Sequence, residues 1–377
     1  MPQRAVLNPK EERRLLRGHP WVYRNEFSDL PELEDGSIVD VYSAEKRFVG
    51  RGFFQAQGGI AVRLLSRHQE DFDTTFFARR LETALTLRCR WFGKDTTVFR
   101  WVHAESDGLP GLVIDRYNDV VVISTSCRFY EKNQQILRGA LGGLVEVSGV
   151  LWDTGTQRTV YGNVPPEIVC TLETGVTLGF TWEKAQKTGL FLDQRSNAAE
   201  MQRLADGARV FDGHCYVGLW TCHAARAGAA EVTAMDTSEA ALDQAKRNAE
   251  YNGVAQRCRF ERGDVLERLP NEPTYDLVFL DPPALAKARS HVAKAVAYYE
   301  QLNARGLRAL RPGGWLITSS CSHFVDIPLF LEILKRAART AQRNVQLVAL
   351  RGAAADHPIA PAVPETAYLK CAFLRVI

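Results

Sequence analysis

The sequence contains no apolar run approaching the roughly 20 residues that cross a bilayer, which excludes a membrane-spanning helix as an organising element. The opening residues, Met1 to Arg17, alternate polar and charged side chains where a secretory signal would carry an apolar core. The cytoplasm is therefore the expected compartment. Cysteine is sparse, with eight in 377 residues, and no Cys-x-x-Cys pair or histidine spacing suits zinc. Neither a disulfide framework nor a metal site is expected, and most of these thiols should be small, buried, apolar groups. Excess charge is also missing: 47 Lys and Arg stand against 44 Asp and Glu, a formal net charge of +3. That balance does not mark a nucleic-acid binder, so any such contact has to come from local clusters. Internal repeats and low-complexity linkers are absent as well.

The remaining composition, 46% hydrophobic and 24% charged, is that of an ordinary folded protein. Its length exceeds one core, and three stretches can be distinguished. Residues 1–70 read as a small β domain, with strand patterns at Gly36–Tyr42, Phe48–Phe54 and Ile60–Leu65. Within it a helix pattern, Glu11–Arg17, is stopped by Gly18 and Pro20 and followed by Trp21-Val22-Tyr23-Arg24. These aromatic and basic residues, with His19 beside them, are candidates for RNA contact. Residues 71–183 read as a middle α+β domain. From 184 to 377 strands and helices alternate at βαβ spacing, which predicts an α/β fold with a doubly wound, Rossmann-like parallel sheet.

Ligands of such sheets sit beyond the carboxyl ends of the strands, and every motif of the third stretch falls at such an end. The strand ending at Asp212 runs into Gly213-His214-Cys215-Tyr216-Val217-Gly218-Leu219, a turn leading to a helix whose free N–H groups can face a polar ligand. Asp212, Tyr216 and Gly218 are its candidate cofactor contacts. The next strand closes on Asp236, placed to grip the two hydroxyls of a ribose, and the third on Asp264, whose carboxylate can accept from an adenine amino group. Both also suit plain strand-end caps. No G-x-G-x-x-G brings backbone against a pyrophosphate, so S-adenosylmethionine fits better than a nicotinamide dinucleotide.

The fourth strand delivers Asp281 with Pro282-Pro283, a rigid carboxylate-bearing loop of the kind that holds the edge of a flipped base beside a methyl donor. The fifth ends in Ser319-Ser320-Cys321-Ser322-His323. Carbon 5 of a pyrimidine is a weak nucleophile, and a thiolate adding at C6 makes it enamine-like. Cys321 is the candidate for that addition. Asp281 is the candidate acid for the opposite edge of the base and a further candidate cofactor contact. His323 is a weaker candidate for tuning the thiol.

Several stretches carry a resemblance that spans most of the chain: Gly18-His19-Pro20-Trp21-Val22-Tyr23, Glu105–Leu112, Lys187–Arg195, Asp281-Pro282-Pro283, Ser320-Cys321-Ser322, Ala355-Asp356-His357-Pro358 and Tyr368-Leu369-Lys370. They resemble the bacterial 23S ribosomal RNA cytosine-5 methyltransferases, built from a PUA domain, a middle α+β domain and a Rossmann-like catalytic domain. The resemblance implies that the first 70 or so residues bind RNA. It also implies that Lys187, Thr188, Gln194 and Arg195 help to hold S-adenosylmethionine, and that Cys321 is the nucleophile. Ribosomal RNA is the implied partner, free or in an assembling large subunit, with a homodimer as a candidate assembly. One departure lies in the cofactor turn, where the family carries a second glycine and this chain has Leu219; it would weaken the site if that position needed positive φ. Two other readings stay open at this point: methylation of a guanine or adenine nitrogen, and an RNA-binding protein without catalysis.

Overall fold

Strands dominate the first stretch because β-branched and aromatic residues alternate between glycine turns. They are β1 (Gln3–Leu7), β2 (Trp21–Tyr23), β3 (Phe27–Asp29), β4 (Ile38–Tyr42), β5 (Phe48–Phe54) and β6 (Ile60–Ser66), with the short helix α1 (Glu12–Leu16) after β1. They form one sheet in the order β2-β6-β5-β4-β1-β3. A longer helix, α2 (Thr74–Phe92), begins where the Asp73 carboxylate accepts from Phe76 N–H. It packs with α3 (Arg128–Lys132) and α4 (Gln134–Gly142) over a second sheet made of β7 (Val98–His103), β8 (Leu112–Tyr117), β9 (Val120–Thr125), β10 (Gly149–Asp153) and β11 (Arg158–Gly162). Phe53 of β5 stacks on Phe129 of α3 with ring centres 4.6 Å apart, so the two sheets share a core.

The computed structural model describes residues 2–286 and 288–377. In it the chain divides into two units, the first formed by residues through Pro165 together with Asp356–Thr366, the second by Pro166–Ala355 and Ala367–Ile377. The returning segment is anchored by buried charge. Arg100 N–H donates to Asp356 Oδ2 at 3.0 Å, and Arg88, itself paired twice with Asp107, donates to the Asp356 carbonyl at 2.7 Å.

The second unit contains β12 (Glu167–Thr171), β13 (Thr177–Thr181), α5 (Arg195–Met201), β14 (Arg209–Gly213), α6 (Leu219–Arg226), β15 (Glu231–Asp236), α7 (Glu239–Tyr251), β16 (Cys258–Arg262), α8 (Val265–Arg268), β17 (Tyr275–Leu280), α9 (Val292–Ala309), β18 (Leu310–Ser320), α10 (Ile327–Ala341), β19 (Val345–Arg351) and β20 (Lys370–Val376). Its main sheet has the order β16-β15-β14-β17-β18-β20-β19, with β14 to β18 parallel and β20 antiparallel to both neighbours. This is the doubly wound arrangement that the βαβ spacing predicts. Tyr299, Leu302 and Leu307, on one stripe of α9, are wholly buried against the sheet, each stabilising it by about 1.5–3 kcal/mol.

The division at Pro165–Pro166 lies upstream of the 183/184 boundary read from sequence. Asn248 on α7 is among the contacts that hold the β12–β13 hairpin in the second unit. This fully buried amide accepts from Gly179 N–H at 2.7 Å and donates to the Gly179 and Val217 carbonyls at 3.1 and 2.8 Å. The β12–β13 hairpin is thereby fastened to the second unit, although in sequence it reads as the end of the middle stretch.

Candidate active site

The strand order reverses between β14 and β17, and there the crevice at the carboxyl end of the sheet is built. The backbone closes it directly: Asp281 N–H, just past β17, donates to the Gly213 carbonyl at 3.3 Å. After β14 the chain turns through left-handed conformations at His214 (φ 65°), Tyr216 (φ 48°) and Gly218 (φ 84°) before α6 begins. Gly218 needs its freedom twice over, because a Cβ there would also lie 3.2 Å from the Cβ of Ala245. Leu219 is the first residue of α6 and has no positive φ. The left-handed position is one residue earlier, so leucine is accommodated.

Tyr216 joins three segments. Its N–H donates to Asp236 Oδ2 at 3.0 Å, its hydroxyl donates to the Gly189 carbonyl at 3.1 Å, and the same oxygen accepts from Gln186 N–H at 3.0 Å. The exposed Lys187, itself at φ 49°, lies in the segment so held, with its ammonium 4.9 Å from the Phe191 ring centre, and Thr188 beside it is buried. Gln194 is buried and donates to Ser319 Oγ at 2.9 Å. Arg195 pairs with Glu173 of the β12–β13 turn. Asp236 also accepts from Ser238 N–H at 2.9 Å. The exposed Asp264 caps α8 by accepting from Leu266 N–H at 2.8 Å and Glu267 N–H at 3.2 Å.

Asp212 is fully buried. One of its oxygens accepts from Thr221 at 2.6 Å, while Oδ1 has no hydrogen-bond partner among the described residues; Asp193 Oδ1 and His214 Nε2 are likewise buried without one among them. Burial, with Asp281 and Asp236 nearby, raises the Asp212 carboxyl to about 7. Such atoms fit a cofactor that brings its own donors and acceptors, as the ammonium and carboxylate of S-adenosylmethionine do.

Cys321 follows β18 directly, and its Sγ lies 3.9 Å from the Pro282 carbonyl. Ser322 locks the two loops together: its hydroxyl oxygen accepts from Leu285 and Ala286 N–H at 3.0 and 3.1 Å and lies 3.3 Å from the Tyr299 hydroxyl. Trp220 stacks on Phe279 and directs its indole N–H to Asp281 at 3.5 Å. Burial, then the repulsion of Asp193, lifts the Asp281 carboxyl to about 7, opposed by Gln194, Trp220 and Lys187. Burial and the Asp281 charge push the Cys321 thiol up to about 11, with Lys187 acting in the other direction. His323 is exposed and leans on Phe324.

In the first unit, His19 is buried and its Nδ1 accepts from Trp21 N–H at 3.2 Å, while the Trp21 indole donates to Glu105 at 2.9 Å. The Tyr23 ring faces the Arg14 guanidinium 5.0 Å away, and Arg24 donates to the Gln55 and Ala56 carbonyls. His19 also lines a cleft of about 470 Å³ beside α1, whose other walls are Lys10, Glu11, Arg13, Arg14, Arg17 and Ala362. Helical spacing gathers these cations on one side, next to the strand that carries Trp21 and Tyr23.

A seven-stranded doubly wound sheet closed by an antiparallel hairpin, with a left-handed cofactor turn after β14 and an Asp-Pro-Pro loop after β17, defines a Rossmann-like methyltransferase. Residues 5–67 match the PUA-like domain family, and residues 158–375 match the S-adenosylmethionine-dependent methyltransferase family. The chain is 34% identical to the ribosomal RNA large subunit methyltransferase I of Alteromonas mediterranea over 98% of both chains, and 33% identical to that of Erwinia tasmaniensis over 100% of both. A Streptococcus mutans protein assigned to the SAM-dependent methyltransferases has a TM-score of 0.86 at 21% identity, covering 99% of this chain and 100% of that one. A protein assigned as a methyltransferase and solved with SAH has a TM-score of 0.87 at 22% identity and the same coverage. The chain belongs to the S-adenosylmethionine-dependent methyltransferase family, with a PUA-like domain at its N-terminal end.

The sequence reading passed over Trp220, Ser322 and Lys370. Lys370 carried a signal, a lone cation within the apolar run Leu369-Lys370-Cys371-Ala372-Phe373. Trp220 and Ser322 carried none, because their partners lie 61 and 37 residues away.

Proposed function

We propose that this enzyme methylates carbon 5 of a cytosine in 23S ribosomal RNA through a covalent adduct of Cys321. The carrying observation is the adjacency of Cys321 and the Pro282 carbonyl, fixed by Ser322, beside a carboxyl group lifted to about 7. In this reading the Cys321 thiolate adds to C6 of the base, and the C5–C6 π electrons become available at C5. Protonated Asp281 donates to the N3 edge and stabilises the adduct. When bound, the cofactor would be held by Tyr216, Gly218, Asp236, Asp264 and the Lys187–Arg195 segment and would supply an electrophilic methyl group to C5, its sulfur keeping the electron pair of the broken S–CH3 bond. Loss of the C5 proton to a base then returns the electron pair to the ring and expels the Cys321 thiolate. Ribosomal RNA as substrate follows from the relatives at 33–34% identity and from the PUA-like domain. The cations beside α1 suit a phosphate backbone.

The test is incubation with labelled S-adenosylmethionine and ribosomal RNA, followed by nucleoside mass spectrometry. Label in 5-methylcytosine, abolished by Cys321→Ala, and a stable adduct with 5-fluorocytosine RNA are the expected results. Label in a methylated guanine or adenine, unaffected by Cys321→Ala, would overturn the reading.

A further inference from the structure

Lys370 is a strand residue with 4% exposure. The β18–β20 register places it opposite Ser320, at the point where β18 gives way to Cys321. Its ammonium donates to the Ser322 carbonyl at 2.8 Å and to the Tyr368 carbonyl at 2.7 Å. Tyr368 in turn donates its hydroxyl to Asp193 Oδ2 at 2.7 Å, tying the same strand start to the Lys187–Arg195 segment. A buried ammonium is costly unless something uses its charge, and the two partners recorded here are neutral carbonyls. The groups that bear on it electrostatically are Cys321 and Asp326.

We infer that Lys370 is the positioning residue of Cys321, clamping the Ser322 carbonyl so that the thiol stays over Pro282 and setting a positive charge beside the thiolate that attacks the base. The inference rests on Cys321 being the nucleophile. The other groups that bear on the thiol are Asp281 at the end of β17, Asp193 and Lys187 in the segment before α5, and Tyr299 on α9. Asp193, and Asp281 once it ionises, oppose a thiolate, and the cations Lys370 and Lys187 offset them. Burial has already brought Lys370 down to about 8, with Cys321 and Asp326 drawing it back up. Its charge is therefore sensitive to what happens at the thiol.

The experiment is the rate of alkylation of the full chain by iodoacetamide from pH 6 to 7.5, where Lys370 still carries its charge, read by mass spectrometry on the peptide that contains Cys321. S-adenosylmethionine binding by calorimetry checks that each variant is folded. Lys370→Gln keeps donors for Ser322 and removes the charge; its labelling at Cys321 should be about tenfold slower across this range. Lys370→Arg keeps a charge throughout this range, so it should label at the wild-type rate or faster. Unchanged labelling in folded Lys370→Gln, or slowed labelling in Lys370→Arg, would overturn the inference. Should the glutamine variant fail to fold, the arginine arm decides alone. These measurements use no RNA, so they separate the role of Lys370 from the identity of the methylated base.

Discussion

At the scale of single residues, the site is a set of ionisable groups whose protonation is arranged by burial. Asp281 holds its proton up to about 7, while the thiol of Cys321 ionises only toward 11. In the proposed mechanism two demands run in opposite directions with pH: adduct formation would need thiolate, which grows as pH rises, and a protonated Asp281, which disappears above 7. Asp281→Asn keeps a donor that cannot ionise. The ratio of adduct rates on 5-fluorocytosine RNA, wild type over Asp281→Asn, should be flat below 7 and fall by about tenfold per pH unit above it. A constant ratio from pH 6 to 9 would show that Asp281 does not act as the acid. The strand-end positions of Cys321 and Asp281 were legible in sequence because each follows an apolar run and has a distinctive neighbour. The protein partners of Asp264 and Arg195 were not legible. A cap three residues away looks the same in sequence as a ligand contact, and the pairing of Arg195 with Glu173 depends on a hairpin packed from elsewhere.

At the scale of elements, the cofactor turn is held from outside itself. Asn248 on α7 satisfies Val217 in the turn and both backbone groups of Gly179 on β13, so one amide sets the position of a loop and a hairpin together. Asn248→Ala leaves three buried backbone groups without that partner and should lower stability by about 3 kcal/mol, measured by urea denaturation. It should also weaken S-adenosylmethionine binding in calorimetry, whereas a change at exposed Asp243 on the same helix should do neither. If Asn248→Ala loses stability but binds cofactor unchanged, the turn is held by its own left-handed residues. The sheet was readable from βαβ spacing because its central strands β14, β15 and β17 are short apolar runs closed by an aspartate. The β12–β13 hairpin read in sequence as the end of the middle stretch because hydrophobic alternation reveals a strand without revealing what it packs on.

For the whole molecule, the two units are interleaved along the chain: Asp356–Thr366 lies in the first unit, and the chain then returns to supply β20 between β18 and β19 of the second. Fragments 2–165 and 166–377, produced together as separate chains, should therefore co-purify, since the second carries the segment that completes the first. Replacing 356–366 by a short glycine-serine bridge should abolish capture in an affinity pull-down; capture that survives the replacement would remove the segment from this role. Sequence showed Ala355-Asp356-His357-Pro358 as a recognisable stretch without showing its destination, because its partners Arg88 and Arg100 are 268 and 256 residues away. The same threading has a consequence for biosynthesis. A nascent chain that has emerged as far as Pro165 lacks the Asp356 anchor for Arg88 and Arg100, and it waits for roughly 200 more residues, on the order of 10–40 s at ordinary elongation rates. Neither unit can reach its final form before translation is nearly complete, so a prematurely terminated chain leaves both unfinished and exposed to proteolysis.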